Sequence, residues 1–178
     1  MSRDHTRETM RAMALFESLR DRELALLAAV MIPVHAPAGE VICREGEPGT
    51  CCFFVVDGEV EVRKHMQGEA DRTIATLRRD QVFGHIALVD PGPRSASCIA
   101  RTTATLLRLD RSDFETLFLS GTRFALQFQD MIARTAAQQL RAANQRLALL
   151  SLRGSPPSAE RDAELREVQA LLEKSNYR

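Results

Sequence analysis

Phe83-Gly84-His85-Ile86-Ala87-Leu88-Val89-Asp90-Pro91-Gly92-Pro93-Arg94-Ser95-Ala96-Ser97 is the stretch on which the reading of this chain turns. A glycine follows an apolar residue, a short Ile-Ala-Leu-Val run comes next, and Pro91-Gly92-Pro93 forces a turn before Arg94 and two small residues. Short helices lend their N-terminal N–H donors to phosphate, and a guanidinium adds charge-assisted, bidentate hydrogen bonds of roughly 1.5–3 kcal/mol. Two readings stand side by side. Either this is a helical turn and loop that closes around an anion, or it is a surface loop with an exposed arginine.

The segments around it are short strands separated by turn residues. On the N-terminal side, Pro33, Pro37 and Gly39 punctuate short apolar pieces, and Val41-Ile42-Cys43 reads as a strand followed by the turn Arg44-Glu45-Gly46-Glu47-Pro48-Gly49. The runs 52–56 and 60–62 flank Asp57-Gly58, a hairpin signal because such turns need positive φ. Residues 73–77, 97–99 and 105–109 are further strands. Strands at this spacing predict a β-sandwich, barrel or jelly roll.

Helical patterns bracket the strands. Residues 1–14 are charged and carry Met10, Met13 and Ala14, which suits a helix or a loosely docked arm. Asp21 is an N-cap candidate for a helix presenting Leu24, Leu27, Ala28 and Met31 on one face. Ser112-x-x-Glu115 reads as a capping box ahead of Phe114, Leu117 and Phe118. A long helix then runs over about 123–150. Its Ala133, Ala136, Leu140, Ala143, Leu147 and Leu150 form an a/d seam for a second copy, while Phe124, Phe128 and Ile132 offer a face for docking on the strands. Residues 153–159 have linker composition, and Leu165, Val168, Leu171 and Leu172 mark a short amphipathic tail helix.

Composition narrows the function classes. The chain has 178 residues, enough for one well-cored domain with appendages. Lys plus Arg and Asp plus Glu both number 24, so no global charge favours nucleic acid or an anionic membrane. The polar N-terminus lacks a signal peptide pattern and no apolar run is long enough for a membrane span, which predicts a soluble, cytoplasmic protein. Cys43, Cys51, Cys52 and Cys98 show no C-x-x-C pair and read as reduced thiols packed in strands. His5, His35, His65 and His85 show no H-x-H or H-x-x-x-H spacing, so no metal site is expected. Without a local Ser/His/Asp or Cys/His signature, a non-enzymatic role is the expectation.

Over residues 15–150 the chain resembles the cyclic nucleotide-binding domain of the catabolite activator and fumarate–nitrate regulator superfamily. The resemblance rests on an ordered series: Leu15-Phe16, Pro37-Ala38-Gly39-Glu40 before Val41-Ile42, Glu45-Gly46-Glu47-Pro48-Gly49, Phe54-Val55-Val56-Asp57-Gly58-Glu59-Val60 as a central hairpin, and Phe83-Gly84 to Ala96 as a phosphate-binding cassette. It implies a mainly β fold with flanking helices: an eight-stranded, jelly-roll-like β-roll (a double-stranded β-helix) with N-terminal helices and a long C-terminal dimer helix. The corresponding divisions are an arm at 1–14, the roll at 15–120, the dimer helix at 121–151 and a linker with helical tail at 152–178. It also implies that Arg94 pairs with the exocyclic phosphate of a cyclic nucleotide such as cAMP or cGMP. Gly84, His85, Ile86, Ala87, Ser95 and Ala96 would surround phosphate and ribose, and Asn144 would read the base.

Two positions depart from the family pattern. Cyclic-nucleotide binders of the family usually carry a glutamate where this chain has His85, and imidazole offers one acceptor when neutral and none when protonated. A ribose hydroxyl left without its acceptor costs about 1–3 kcal/mol, or roughly 5- to 150-fold in affinity. After Leu150 too few residues follow for the winged helix-turn-helix of the family's transcription factors, so DNA binding is not expected. The resulting expectation is a homodimeric, nucleotide-sensing regulator that relays binding through the dimer helix to a protein partner. The alternative is a ligand-free roll serving as a protein–protein adaptor.

Overall fold

In the computed structural model of the chain, the described residues are 3–65, 71–90, 92–119, 121, 123, 125–131, 133–134, 137, 141, 144–145 and 148. Two compact units divide the chain, 1–128 and 129–178.

The first unit begins with two helices, α1 (Arg3–Arg11) and α2 (Asp21–Val30), joined through a 3₁₀ turn at Ala14–Phe16. The N-terminal segment is no loose arm: Met10 and Met13 are 0% and 1% exposed. In α2 the expected face is inward, with Leu24, Leu27 and Ala28 buried and Met31 buried just beyond its end. The cap differs from the sequence expectation. Asp21 is the first helical residue rather than the N-cap, and its carboxylate accepts from the Arg11 guanidinium. The first turn is closed instead by Glu23, whose carboxylate accepts from the Arg20 N–H at 3.0 Å.

Eight strands follow among the described residues: β1 (Ile32–Ala36), β2 (Val41–Cys43), β3 (Cys51–Asp57), β4 (Val60–Lys64), β5 (Arg72–Leu77), β6 (Val82–Phe83), β7 (Ser97–Ala100) and β8 (Ala104–Asp110). They form two antiparallel sheets of four, ordered β1-β8-β3-β6 and β2-β7-β4-β5. This is the mainly β roll with flanking helices that the resemblance implies, and it lies within the class that the turn spacing predicts.

Strand β3 explains how the layers stack. Its inward residues Cys51, Phe53 and Val55 join Val60, Phe83, Cys98, Ala100 and Leu106 in the core between the sheets. Its other face is covered as well, with Cys52 and Phe54 both at 0% exposure. The Phe54 ring lies 5.4 Å from Phe16 and 5.6 Å from Phe128, and Phe128 also meets Phe114 edge-on at 5.7 Å. A strand buried on both faces loses the alternation of a half-exposed strand and reads as the continuous apolar run seen at 51–56.

Two turn expectations are corrected. Asp57-Gly58 does not close a hairpin, because β3 pairs with β8 and β6 while β4 pairs with β5 and β7. Gly58 (φ +84°) carries the chain from one sheet to the other, and a Cβ there would lie 2.4 Å from the Thr103 carbonyl oxygen. Ser112 does not cap a helix either: α3 (Arg111–Leu119) starts directly from the end of β8, which makes Ser112 its second residue.

Beyond α3 every described residue from 123 to 148 other than the masked positions between them is helical, and Ala125 and Phe128 are buried at 0% and 3%. In the second unit Asp130 and Arg134 pair at 2.7 Å one turn apart. Of the proposed seam, Ala133 is exposed, whereas Ala136, Leu140, Ala143, Leu147 and Leu150 lie outside the described residues, as do Phe124, Ile132 and everything from 149 onward. Among the described residues no helix is long and apolar enough to cross a membrane.

Candidate anion-binding cassette

The cassette begins where β6 ends. Gly84 takes φ +69°, a left-handed conformation that suits glycine, and this bend starts a 3₁₀ turn at His85–Leu88. Ala87 and Leu88 point inward, and Ile86 is 40% exposed. The Arg111 guanidinium at the start of α3 donates through Nε to the Ala87 carbonyl at 2.7 Å, holding the turn against the roll. Asp90 closes the next bend by accepting from the Gly92 N–H at 3.2 Å.

Arg94 is the centre of this arrangement. Its residue is only 9% exposed, between exposed Pro93 and exposed Ser95, which removes the reading of a loop arginine on the surface. The backbone is clamped on both sides: the Arg94 N–H donates to the Glu47 carbonyl at 2.8 Å, and the Gly46 N–H donates to the Arg94 carbonyl at 2.9 Å. The guanidinium donates through Nη1 to the Gly84 carbonyl at 3.2 Å and through Nη2 to the Cys51 sulfur at 3.3 Å. Neither partner is a carboxylate. Asp90, the nearest acidic residue in sequence, spends its carboxylate on Gly92. Among the described residues no carboxylate pairs with Arg94. A buried cation without a counter-ion is costly, and a bound anion relieves that cost.

Gly84 and Arg94 are matched to one another. A Cβ on Gly84 would stand 2.3 Å from Arg94 Nη1, so the guanidinium occupies the space that any side chain at that position would need. His85 stands beside them, half-buried, with Nδ1 enclosed and lacking a hydrogen-bond partner. Burial pushes its pKa below the ordinary 6.5, so the ring is neutral at pH 7 and carries one donor and one acceptor.

The far end of the cassette is tied to the second sheet. Lys64 on β4 donates to the Ser95 carbonyl at 2.7 Å and to Glu45 at 2.6 Å. Glu45 N–H in turn donates to Ser97 Oγ at 2.9 Å. The His65 N–H, and after it Lys64, hold the Glu45 carboxyl below its usual pKa. Ala96 is buried at 9%.

The fold thus brings Gly84, His85, Ile86, Ala87, Arg94, Ser95 and Ala96 into one connected cassette. Asn144 belongs to the second unit, where it is helical and exposed. Cys51, Glu45, Lys64 and Arg111 were not expected at the cassette. Each reaches the cassette from a segment distant in sequence: Cys51 from β3, Lys64 from β4, Arg111 from the start of α3 and Glu45 from the turn after β2.

Comparison with known proteins places this geometry. Residues 33–120 match the cyclic nucleotide-binding domain family. A cyclic nucleotide-gated potassium channel of Mesorhizobium japonicum is 36% identical over 132 residues, covering 74% of this chain and 34% of the channel. The cyclic AMP receptor protein of Thermus thermophilus is 34% identical over 143 residues, covering 80% of this chain and 64% of the receptor. This chain therefore spans less than two thirds of either relative. Among solved structures, the Thermus thermophilus catabolite activator protein superposes with a TM-score of 0.68 at 31% identity, covering 78% of this chain and 63% of that one.

Proposed function

Residues 33–120 belong to the cyclic nucleotide-binding domain family, and from that premise we propose that the chain is a non-enzymatic sensor of a cyclic nucleotide or a related phosphate ligand. The observation that carries this reading is Arg94, 9% exposed, whose guanidinium has, among the described residues, a carbonyl oxygen and a sulfur as its hydrogen-bond partners. In the proposed complex the exocyclic phosphate supplies the missing counter-charge. Gly84, Ile86, Ala87, Ser95 and Ala96 surround phosphate and ribose, and the neutral His85 ring faces the ribose hydroxyl that a carboxylate would otherwise accept from. Asn144 is proposed as the contact to the base.

The relay is proposed to run through the 121–151 helix, whose a/d periodicity suits pairing with a second copy, and on to a protein partner. To act as a switch, the ligand must favour one arrangement of that helix by a few kcal/mol. Titration calorimetry of the whole chain with a panel of cyclic mono- and dinucleotides tests the proposal. Saturable heat from at least one is expected, and no heat from any at millimolar concentration would overturn it.

That Arg94 already engages Gly84 and Cys51 favours a second reading, in which the cassette is self-satisfied and the roll is a protein–protein adaptor. The two part on Arg94→Ala. An adaptor keeps its partner in a pull-down with this variant, and a sensor loses ligand-dependent capture.

A further inference from the structure

Beside the cassette lies a pair of thiols that nucleotide binding does not use. Cys43 ends β2 and Cys98 lies in β7, and the two are directly opposed in the antiparallel register, next to an irregularity between Val41 and Cys43. Opposed residues in antiparallel strands have Cα atoms about 4.5–5.5 Å apart, which falls in the ~4.4–6.8 Å window a disulfide requires. Their side chains face the same core, and both thiols are free. The other two cysteines are placed differently. Cys51 and Cys52 are neighbours on β3, so their side chains point to opposite faces, with Cys51 against Arg94.

We propose that Cys43 and Cys98 are a redox modification site, oxidised by a peroxide to a cross-strand disulfide that fixes the two segments clamping Arg94. The chemistry needs one nucleophilic thiol and one resolving thiol. The facing Cys98 thiol and the nearby positive charge of Arg94 lower the Cys43 pKa to about 7, while the same pairing and burial push Cys98 up. Both thiols are buried, and exposed Arg44 directly follows Cys43.

The Cys43 thiolate attacks one peroxide oxygen and the O–O bond breaks. The product is a sulfenic acid, and the leaving hydroxide takes up the proton the thiol had released, forming water. The Cys98 sulfur then attacks the Cys43 sulfur. The S–O bond breaks, and the departing hydroxide combines with the Cys98 proton as a second water. Two electrons pass from the two thiols to the peroxide.

The bond would act on the cassette through the backbone. Cys43 precedes the turn whose Gly46 and Glu47 hydrogen-bond the Arg94 main chain, and Cys98 lies on the strand that the cassette enters at Ser97. Tying β2 to β7 therefore joins both sides of that clamp.

The test treats the reduced full chain with hydrogen peroxide, alkylates the remaining thiols and maps the digest by mass spectrometry without reductant. The expected product is a peptide pair joining Cys43 to Cys98, two hydrogens lighter and separated by dithiothreitol. In Cys98→Ser, Cys43 should instead accumulate as a sulfenic acid trapped by dimedone. Four free thiols, a link through Cys51, a link between two copies, or over-oxidation of Cys43 without a link would each overturn the proposal. Hydrogen exchange supplies a readout independent of any ligand: the Gly46 and Arg94 amides should exchange several-fold more slowly after oxidation. Unchanged exchange with the bond formed would overturn its action on the clamp.

Discussion

Arg94 and His85 divide the proposed work at the scale of single residues. Arg94 brings fixed charge and a planar fork of donors, so Arg94→Lys keeps the charge and loses the bidentate geometry. Affinity for the cyclic nucleotide identified by calorimetry is expected to fall ~10- to 100-fold, consistent with charge-assisted bonds of about 1.5–3 kcal/mol. His85→Glu is expected to act the other way, tightening cyclic AMP or GMP binding roughly 5- to 150-fold by restoring an acceptor for the ribose hydroxyl. The same histidine makes a prediction about stability. Its folded pKa lies below the ordinary 6.5, so the unfolded chain binds the proton more readily. Its contribution is therefore present above that value and is lost as pH falls through 6.5 toward the folded pKa. Thermal melts across this range should show a decline that is shallower in His85→Gln. The arginine was legible in sequence from its setting between Pro93 and Ser95. Its burial was not, because the groups that enclose it come from residues 46–51 and from Gly84.

At the scale of elements, the bend at Gly84 sets the position of the guanidinium. Gly84→Ala would put a methyl group 2.3 Å from Arg94 Nη1 and force alanine to φ +69°. The conformation alone costs about 1–2 kcal/mol. Because the atom in the way is the end of a flexible side chain, the guanidinium should yield and the fold survive. Chemical denaturation is expected to show that modest loss while calorimetry shows a large drop in anion affinity. Strands rich in apolar residues were legible, with Val41–Cys43 found as read. Strand β1 was hidden by Pro33, which is tolerated because β1 sits at the edge of its sheet, paired only with β8. Strand β6 has two residues, too few for any period to show. Asp57-Gly58 had the local chemistry of a hairpin turn, but positive φ permits a sharp change of direction without specifying which strand lies beyond it.

For the molecule as a whole, the aromatic cluster behind β3 joins elements from distant parts of the chain. Phe54 touches Phe16 from the N-terminal region and Phe128 from the helix after α3, at 0% exposure. Phe54→Ala is expected to cost about 3–5 kcal/mol by opening a cavity that none of the three segments can refill alone. Urea denaturation should show this as a lower midpoint. If the slope stays the same, the roll and its helical cover unfold together. Apolar segments and turn residues were enough to read a β-sandwich, barrel or jelly roll with flanking helices, since strand period and glycine conformations are local properties, and the family resemblance narrowed this to a β-roll. The stretch from Gly84 to Ala96 read locally as either an anion cassette or a surface loop, and the resemblance favoured the cassette. Tertiary structure alone decided which strands pair, that Arg94 is buried with no carboxylate partner among the described residues, and that Cys43 faces Cys98. Each of these depends on residues far apart in the chain meeting in one place, and local spacing carries no record of that distance.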